Sequence, residues 1–229
     1  MSFNAPLIHL QALSKNYQLE QEYFKALSNI ELKIFSNEYI AITGPSGSGK
    51  STLMNILGLL DTPSSGSYQL NKKQTDGLDE ADLATIRNKE IGFIFQSFNL
   101  FPKLTLIENV MQPLVYRGMA PSLRYEKAKT ALIQVGLEAK LNNLPNQISG
   151  GQKQRVAVAR ALVTEPNILL ADEPTGNLDS KTTSEIMALF DELHRQGQTI
   201  ILVTHEQDIA VHCKRNIRIV DGHIVQDMH

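Results

Sequence analysis

The chain has 229 residues, 42% hydrophobic and 20% charged, with 22 basic against 24 acidic side chains and a formal net charge of -2. That length and apolar content suit one sizeable core, or one core with an appended subdomain, and speak against disorder. The balanced charge lacks the basic surplus of a nucleic-acid binder, the single Cys213 excludes an intrachain disulfide or multi-cysteine metal site and fits a reducing compartment, and no apolar run approaches the ~20 residues that cross a bilayer.

From the N-terminus, Met1 to Tyr17 shows no basic segment followed by an apolar stretch, so a soluble chain without a secretory leader is expected. Tyr39 to Thr43 is the first short apolar run bounded by turn residues and predicts a buried strand. It leads into Gly44-Pro45-Ser46-Gly47-Ser48-Gly49-Lys50-Ser51, and helical spacing follows over Ser51 to Leu60. Strand, glycine-rich loop, Lys-Ser and helix make up a phosphate-binding loop. The glycines let successive backbone N–H groups turn inward on phosphate oxygens, and the helix adds its positive end. Lys50 then reaches the β- and γ-phosphates, the Ser51 hydroxyl completes a Mg²⁺ shell made mostly of water and phosphate, and Thr52 joins the nucleotide-binding set.

A second strand is predicted at Ile91 to Phe95. From Ser97 to Leu144 the strand-helix alternation breaks, with Pro102, Pro113 and Pro121 as punctuation and helical spacing over Tyr125 to Val135, as expected of a helical insertion. Next comes Ile148-Ser149-Gly150-Gly151-Gln152, at the start of a helix predicted over Gln152 to Val163. Two glycines and a hydroxyl at a helix start offer a second set of unpaired N–H groups. One nucleotide needs only one such cradle, so either the second closes over a γ-phosphate held by another copy of the chain, or Ser149 is an ordinary N-cap.

After Pro166, Ile168 to Ala171 reads as a buried strand that delivers Asp172 and Glu173 at its C-terminal end, where open α/β sheets place their ligands. Asp172 suits the outer shell of Mg²⁺ and Glu173 suits polarisation of an attacking water. The plain alternative is an acidic turn closed by Pro174. A helix over Thr182 to Arg195 and strands at Thr199 to Val203 and Ile217 to Val220 complete the series. Strands alternating with helices predict an α/β fold with a mainly parallel sheet in one contiguous unit.

The ordered set Gly44 to Ser51, Gln96, Ser149 to Gln152, Asp172-Glu173, Asp179 and His205 resembles the ATP-binding subunits of ABC transporters along essentially the whole chain. The segments Asn55 to Asp61, Ile91 to Gln96 and Ala171 to Asp179 are similar to the branch of lipoprotein-release, macrolide-export and cell-division ATPases. The one departure, Ile148 where Leu usually stands, exchanges aliphatics of equal size. The resemblance implies a RecA-like P-loop NTPase core over residues 1–96 and 164–229, with an N-terminal antiparallel β portion, and a helical subdomain over 97–163 that carries the Ser149 signature. It implies that Gln96 senses the γ-phosphate and metal, that His205 holds the γ-phosphate and water, that Asp179 lies at a dimer seam or caps a helix, and that Tyr17 stacks on adenine, with Tyr23 and Phe24 as rivals. It also implies ATP and Mg²⁺ as cofactors, a homodimer lying peripherally on the cytoplasmic face of a bacterial inner membrane, an integral membrane permease as its partner, and a periplasmic adaptor as a further partner. The apolar segment Phe98 to Leu106 then either fills the insertion's core or forms a groove for a short helix of the permease. Transport, above all export, is the first expectation, and a cell-division-type regulatory module the second. A GTPase or small-molecule kinase is disfavoured, because no Asn-Lys-x-Asp motif occurs and Ser149 to Gln152 would have no task.

Overall fold

The computed structural model describes residues 5–19 and 22–229. Two sheets organise it. Strands β1 (Ile8–Leu19), β2 (Glu22–Ile34), β4 (Ser65–Leu70) and β5 (Lys73–Gln74) form an antiparallel sheet in the order β2-β1-β4-β5. Strands β3 (Tyr39–Thr43), β6 (Ile91–Phe95), β7 (Ile168–Asp172), β8 (Thr199–Val203), β9 (Arg215–Val220) and β10 (His223–Met228) form the second, in the order β10-β9-β3-β8-β7-β6. All its pairings are parallel except β9 with β10.

Both faces of this larger sheet are covered, which is why its strands read as continuous apolar runs rather than alternating ones. Ile40, Ile42, Leu170, Ile201 and Val203 face a core shared with the antiparallel sheet and with helix α1 (Lys50–Leu57). Their neighbours Tyr39, Leu169, Ala171, Ile200 and Leu202 face the opposite core, shared with α3 (Leu106–Tyr116), α4 (Pro121–Gln134), α5 (Gly150–Leu162) and α6 (Ser180–Arg195). The helices after Phe95 therefore carry no separate core of their own: Val110, Leu132 and Val156 belong to one cluster with the sheet.

Several predicted boundaries move, each for a local reason. The helix expected over Ser51 to Leu60 ends at Leu57, because Gly58 caps it and Leu59 enters the left-handed region at φ 55. The expected helices from Tyr125 and Gln152 begin earlier, at Pro121, which fits the first turn of a helix, and at Gly150, where Ser149 and Gln152 form a capping box. Pro113 does not interrupt α3 but lies within it. Helices α2 (Glu80–Glu90), N-capped by Asp79, and α7 (Gln207–Ala210) complete the chain.

Candidate active site

The phosphate loop links the end of β3 to α1 at the middle of the parallel sheet. Its glycines are demanded by its neighbours: a Cβ on Gly44, at φ +149, would lie 2.1 Å from the Ile219 carbonyl oxygen, and one on Gly49, at φ +104, 2.6 Å from that of Ala26. The β9–β10 turn braces the loop from behind, the Gly222 N–H donating to Ser48 O at 2.9 Å. Lys50 is buried, and its ammonium donates to the carbonyl oxygens of Gly44 and Pro45 at 2.8 Å each. That occupies two of its three donors. The Ser48 hydroxyl is buried in the cradle with no hydrogen-bond partner among the described residues, while Ser46, Gly47 and Ser51 are exposed.

Strands β7 and β8 bring the acidic pair to the same place. Phosphate loop, Lys50, Ser51, Asp172, Glu173 and His205 line one cavity of about 1040 Å³. Glu173 leaves β7 with φ 43, a conformation costly for a residue bearing a Cβ, and is held there by its N–H donating to Val203 O at 2.8 Å and its carbonyl accepting from Gly176 N at 3.1 Å. This kink separates two adjacent carboxylates in direction: Asp172 stays at the strand end, while Glu173 turns to His205, with Glu173 Oε1 2.6 Å from His205 Nδ1. The pair leaves the Nε2 side of the exposed imidazole ring free for another contact.

Burial and the neighbouring charge of Glu173 raise the carboxyl pKa of Asp172 from 3.8, against the opposing pull of Lys50. A carboxyl group with a raised folded-state pKa destabilises the fold once ionised, and the penalty vanishes below the unfolded value. Asp172→Asn should therefore unfold at a higher temperature than the parent at pH 7, an advantage that shrinks as pH falls toward 3.8. Thermal unfolding of both proteins across that range measures it, and equal melting at pH 7 would count against a strained carboxylate.

A profile of the family described as ABC transporter matches residues 27–176, well over half of the chain. The chain belongs to the ABC transporter family. It is 49% identical over 219 residues to the ABC transporter ATP-binding protein YknY of Bacillus subtilis, covering 96% of this chain and 95% of that one. It is also 49% identical over 222 residues to the macrolide export ATP-binding/permease protein MacB of Marinobacter nauticus, where it covers 97% of this chain but only 34% of the relative. Among solved structures, a dimeric ATP-binding cassette in a post-hydrolysis state with ADP and phosphate superimposes with a TM-score of 0.87 at 43% identity, over 96% of this chain and 97% of the other. The protein is accordingly an ATP-binding, ATP-hydrolysing subunit of ABC type. Cassettes of this family pair as dimers and work with membrane permease components; no described helix here is long and apolar enough to cross a membrane.

Not every residue singled out from the ABC pattern reaches that cavity. Gln96 is held outside its lining, its Nε2 3.5 Å from Asn177 Oδ1 and its backbone carbonyl accepting from Asn177 Nδ2 at 3.1 Å. Ser149 to Gln152 and Asp179 are elsewhere too. Both Ser149 and Asp179 are N-caps, of α5 and α6: Ser149 Oγ accepts from Gln152 N at 3.3 Å, and Asp179 accepts from Thr182 N at 3.0 Å and its hydroxyl at 2.7 Å. Those bonds hold the Asp179 carboxyl below the usual range. The two helix starts abut, for a Cβ on Gly151 would fall 2.3 Å from Thr182 Cγ2. The glycine-rich start of α5 thus lies away from the cavity of its own phosphate loop. The capping box answers the alternative posed for Ser149 only in part, since the N–H groups of Gly150 and Gly151 are not used by it.

Tyr17 is half-buried on β1 beside Thr52, its hydroxyl donating to Asp61 Oδ2 at 2.8 Å and its ring 4.9 Å from the Lys15 ammonium. Burial, then the Asp61 bond, raise its phenol pKa. Its cross-strand neighbour Phe24 and the adjacent Tyr23 are exposed, at 50% and 76%. Among residues that sequence reading passed over, Asn177, Gln154 and Arg160 hold the loops around the site.

Proposed function

We propose that the chain powers a separate membrane permease by closing, as a pair, over two ATP molecules, and that the observation carrying the chemistry is the 2.6 Å contact of Glu173 with His205 in the phosphate-loop cavity. Lys50 and the Gly44 to Gly49 amides grip the β- and γ-phosphates, and Tyr17, rather than the more exposed Tyr23 or Phe24, packs against adenine. Ser149, Gly150, Gly151 and Gln152 of one copy, with Asp179 at the seam, complete the pocket of the other.

Glu173 accepts a hydrogen bond from the attacking water and orients it for in-line attack. His205, positioned by that same carboxylate, donates to the γ-phosphate. The Ser51 hydroxyl and Asp172 carboxylate of the cavity are hard-oxygen donors, few in number, and fit Mg²⁺, which retains waters and phosphate oxygens; the Gln96 amide oxygen, outside the lining here, would join them on closure. Bound there, the ion would neutralise charge on the β- and γ-phosphates. Residues 1–96 with 164–229 act as the nucleotide-binding core and 97–163 as the helical subdomain that carries the Ser149 signature, and the permease meets the junction between them.

A second cavity of about 1000 Å³ supports that docking. Phe93, Phe95, Phe101, Tyr116 and Leu60 line it, and Tyr116 is 77% exposed. Within the segment Phe98 to Leu106, Leu106 is buried in the core, whereas Phe101 lines this groove. A short helix from the permease fits here, at the cytoplasmic face of the membrane. Relatives named for macrolide export and syringafactin export favour outward transport of an amphipathic substrate, with a periplasmic adaptor as a further component.

The test is co-purification from detergent-solubilised membranes. A tagged chain should retain a multi-span membrane protein, and Tyr116→Asp with Phe101→Asp should release it roughly tenfold or more while nucleotide binding persists. A parental chain that never associates with membranes would refute the permease role.

A further inference from the structure

We propose that Arg160 is a positioning residue for Gln96: its guanidinium clamps the left-handed turn at Phe98–Asn99 and thereby ties helix α5 to the loop that presents Gln96. This rests on the role proposed for Gln96 above.

The backbone after β6 is held in an unfavourable shape. Phe98 and Asn99 follow one another at φ 60 and 50, two successive side-chain-bearing residues in the left-handed region. Local bonds from Phe98 N to Phe95 O at 3.0 Å and Asn99 N to Ser97 O at 2.6 Å tighten the turn without satisfying the carbonyls it exposes. Those carbonyls are met from α5, 61 and 62 residues away. Arg160 Nη2 donates to Phe98 O at 2.7 Å and Nη1 to Asn99 O at 2.6 Å. A planar fork can hold two adjacent oxygens at a fixed spacing, which a lysine's point charge cannot. Among the described residues these carbonyls are its only hydrogen-bond acceptors and no carboxylate pairs with it, although burial pulls its pKa down. A half-buried charge spent on two backbone oxygens, with no carboxylate partner, implies that the shape of this turn matters.

The clamp sits where three proposed functions meet. Arg160 and Asn99 line the permease groove. Gln96 lies two residues before the turn, held on its other side by Asn177. The N-terminus of α5 is Ser149, and from the same helix the buried Gln154 donates to Pro174 O at 2.7 Å, next to Glu173. One rigid helix therefore holds the Gln96 loop through Arg160 and the Glu173 turn through Gln154, while its tip grips the other copy's nucleotide.

The experiment uses the full chain with Arg160→Met, Arg160→Lys, Gln96→Ala and the Arg160→Met/Gln96→Ala double variant. Arg160→Met should lower kcat roughly 10- to 100-fold with little change in KM, and Arg160→Lys should recover part of the loss. Added to Gln96→Ala, Arg160→Met should cost nothing further, because both act through the same amide. Multiplying losses in the double variant would overturn the proposal and reduce Arg160 to packing. Independently of any activity, amide exchange over residues 96–99 should quicken in Arg160→Met by about tenfold or more relative to β6. Unchanged exchange there would overturn the clamp itself, while the dimer and ATPase reading would stand. Conversely, a parental ATPase indifferent to Glu173→Gln would sink that reading and leave the exchange result to decide the clamp.

Discussion

Glu173→Gln should bind MgATP as the parent does, lose roughly 10²- to 10⁴-fold in turnover, the range of a positioned general base, and accumulate as an ATP-dependent dimer. The amide keeps the size of the carboxylate, so the left-handed kink at φ 43 and the Val203 bond that holds it remain available. What disappears is the proton acceptor and the negative charge against His205, 2.6 Å away. With the γ-phosphate uncleaved, the ligand that joins the two copies persists. Single-turnover hydrolysis and sedimentation with and without ATP read both effects. Parental turnover in this variant would move the water-activating role elsewhere, and slow turnover without dimers would separate chemistry from closure.

Ser149→Arg should load ATP yet remain monomeric and lose two orders of magnitude or more in turnover, roughly what loss of an anion-stabilising donor set costs. The substitution also removes the α5 cap, worth about 1 kcal/mol, so a companion is needed. Ser149→Asp keeps a capping oxygen for the Gln152 N–H and places a negative charge where the other copy's γ-phosphate would arrive. If capping were the residue's whole purpose, Ser149→Asp would be active; if Ser149 completes a pocket across the seam, both variants fail. The geometry favours the second outcome, because Ser149 does not line the cavity that holds Lys50 and Glu173 of its own chain. ATPase assays and light scattering with ATP decide between them, and full activity in Ser149→Arg would remove the case for a shared site.

The parallel strands were legible because each is buried on both faces and so appears as an unbroken apolar run ending in turn residues. The antiparallel sheet was not legible in that way, and entered only through family resemblance. Strand β1 shifts register against β2 at three places, and Ala12 and Asn29 take positive φ, so no clean two-residue alternation survives to be read. Helix α2 escaped for a different reason: only Leu83 and Glu90 are buried along it, which leaves no apolar stripe.

The same division runs through the site. By itself the sequence determined the phosphate loop, the acidic strand end and the capped glycines of α5, because in each the chemistry is carried by neighbours along the chain: glycines beside the amides they free, carboxylates beside the strand that aims them. Only the tertiary structure decided that Glu173 meets His205 across 32 residues, that Asp179 and Ser149 stand together away from their own phosphate loop, and that Arg160 holds a turn about 60 residues upstream. A charged or amide residue on a helix has the same local appearance whether it faces water or two waiting carbonyls. The difference between those environments is created when the helix packs, so no spacing of residues along the chain announces it.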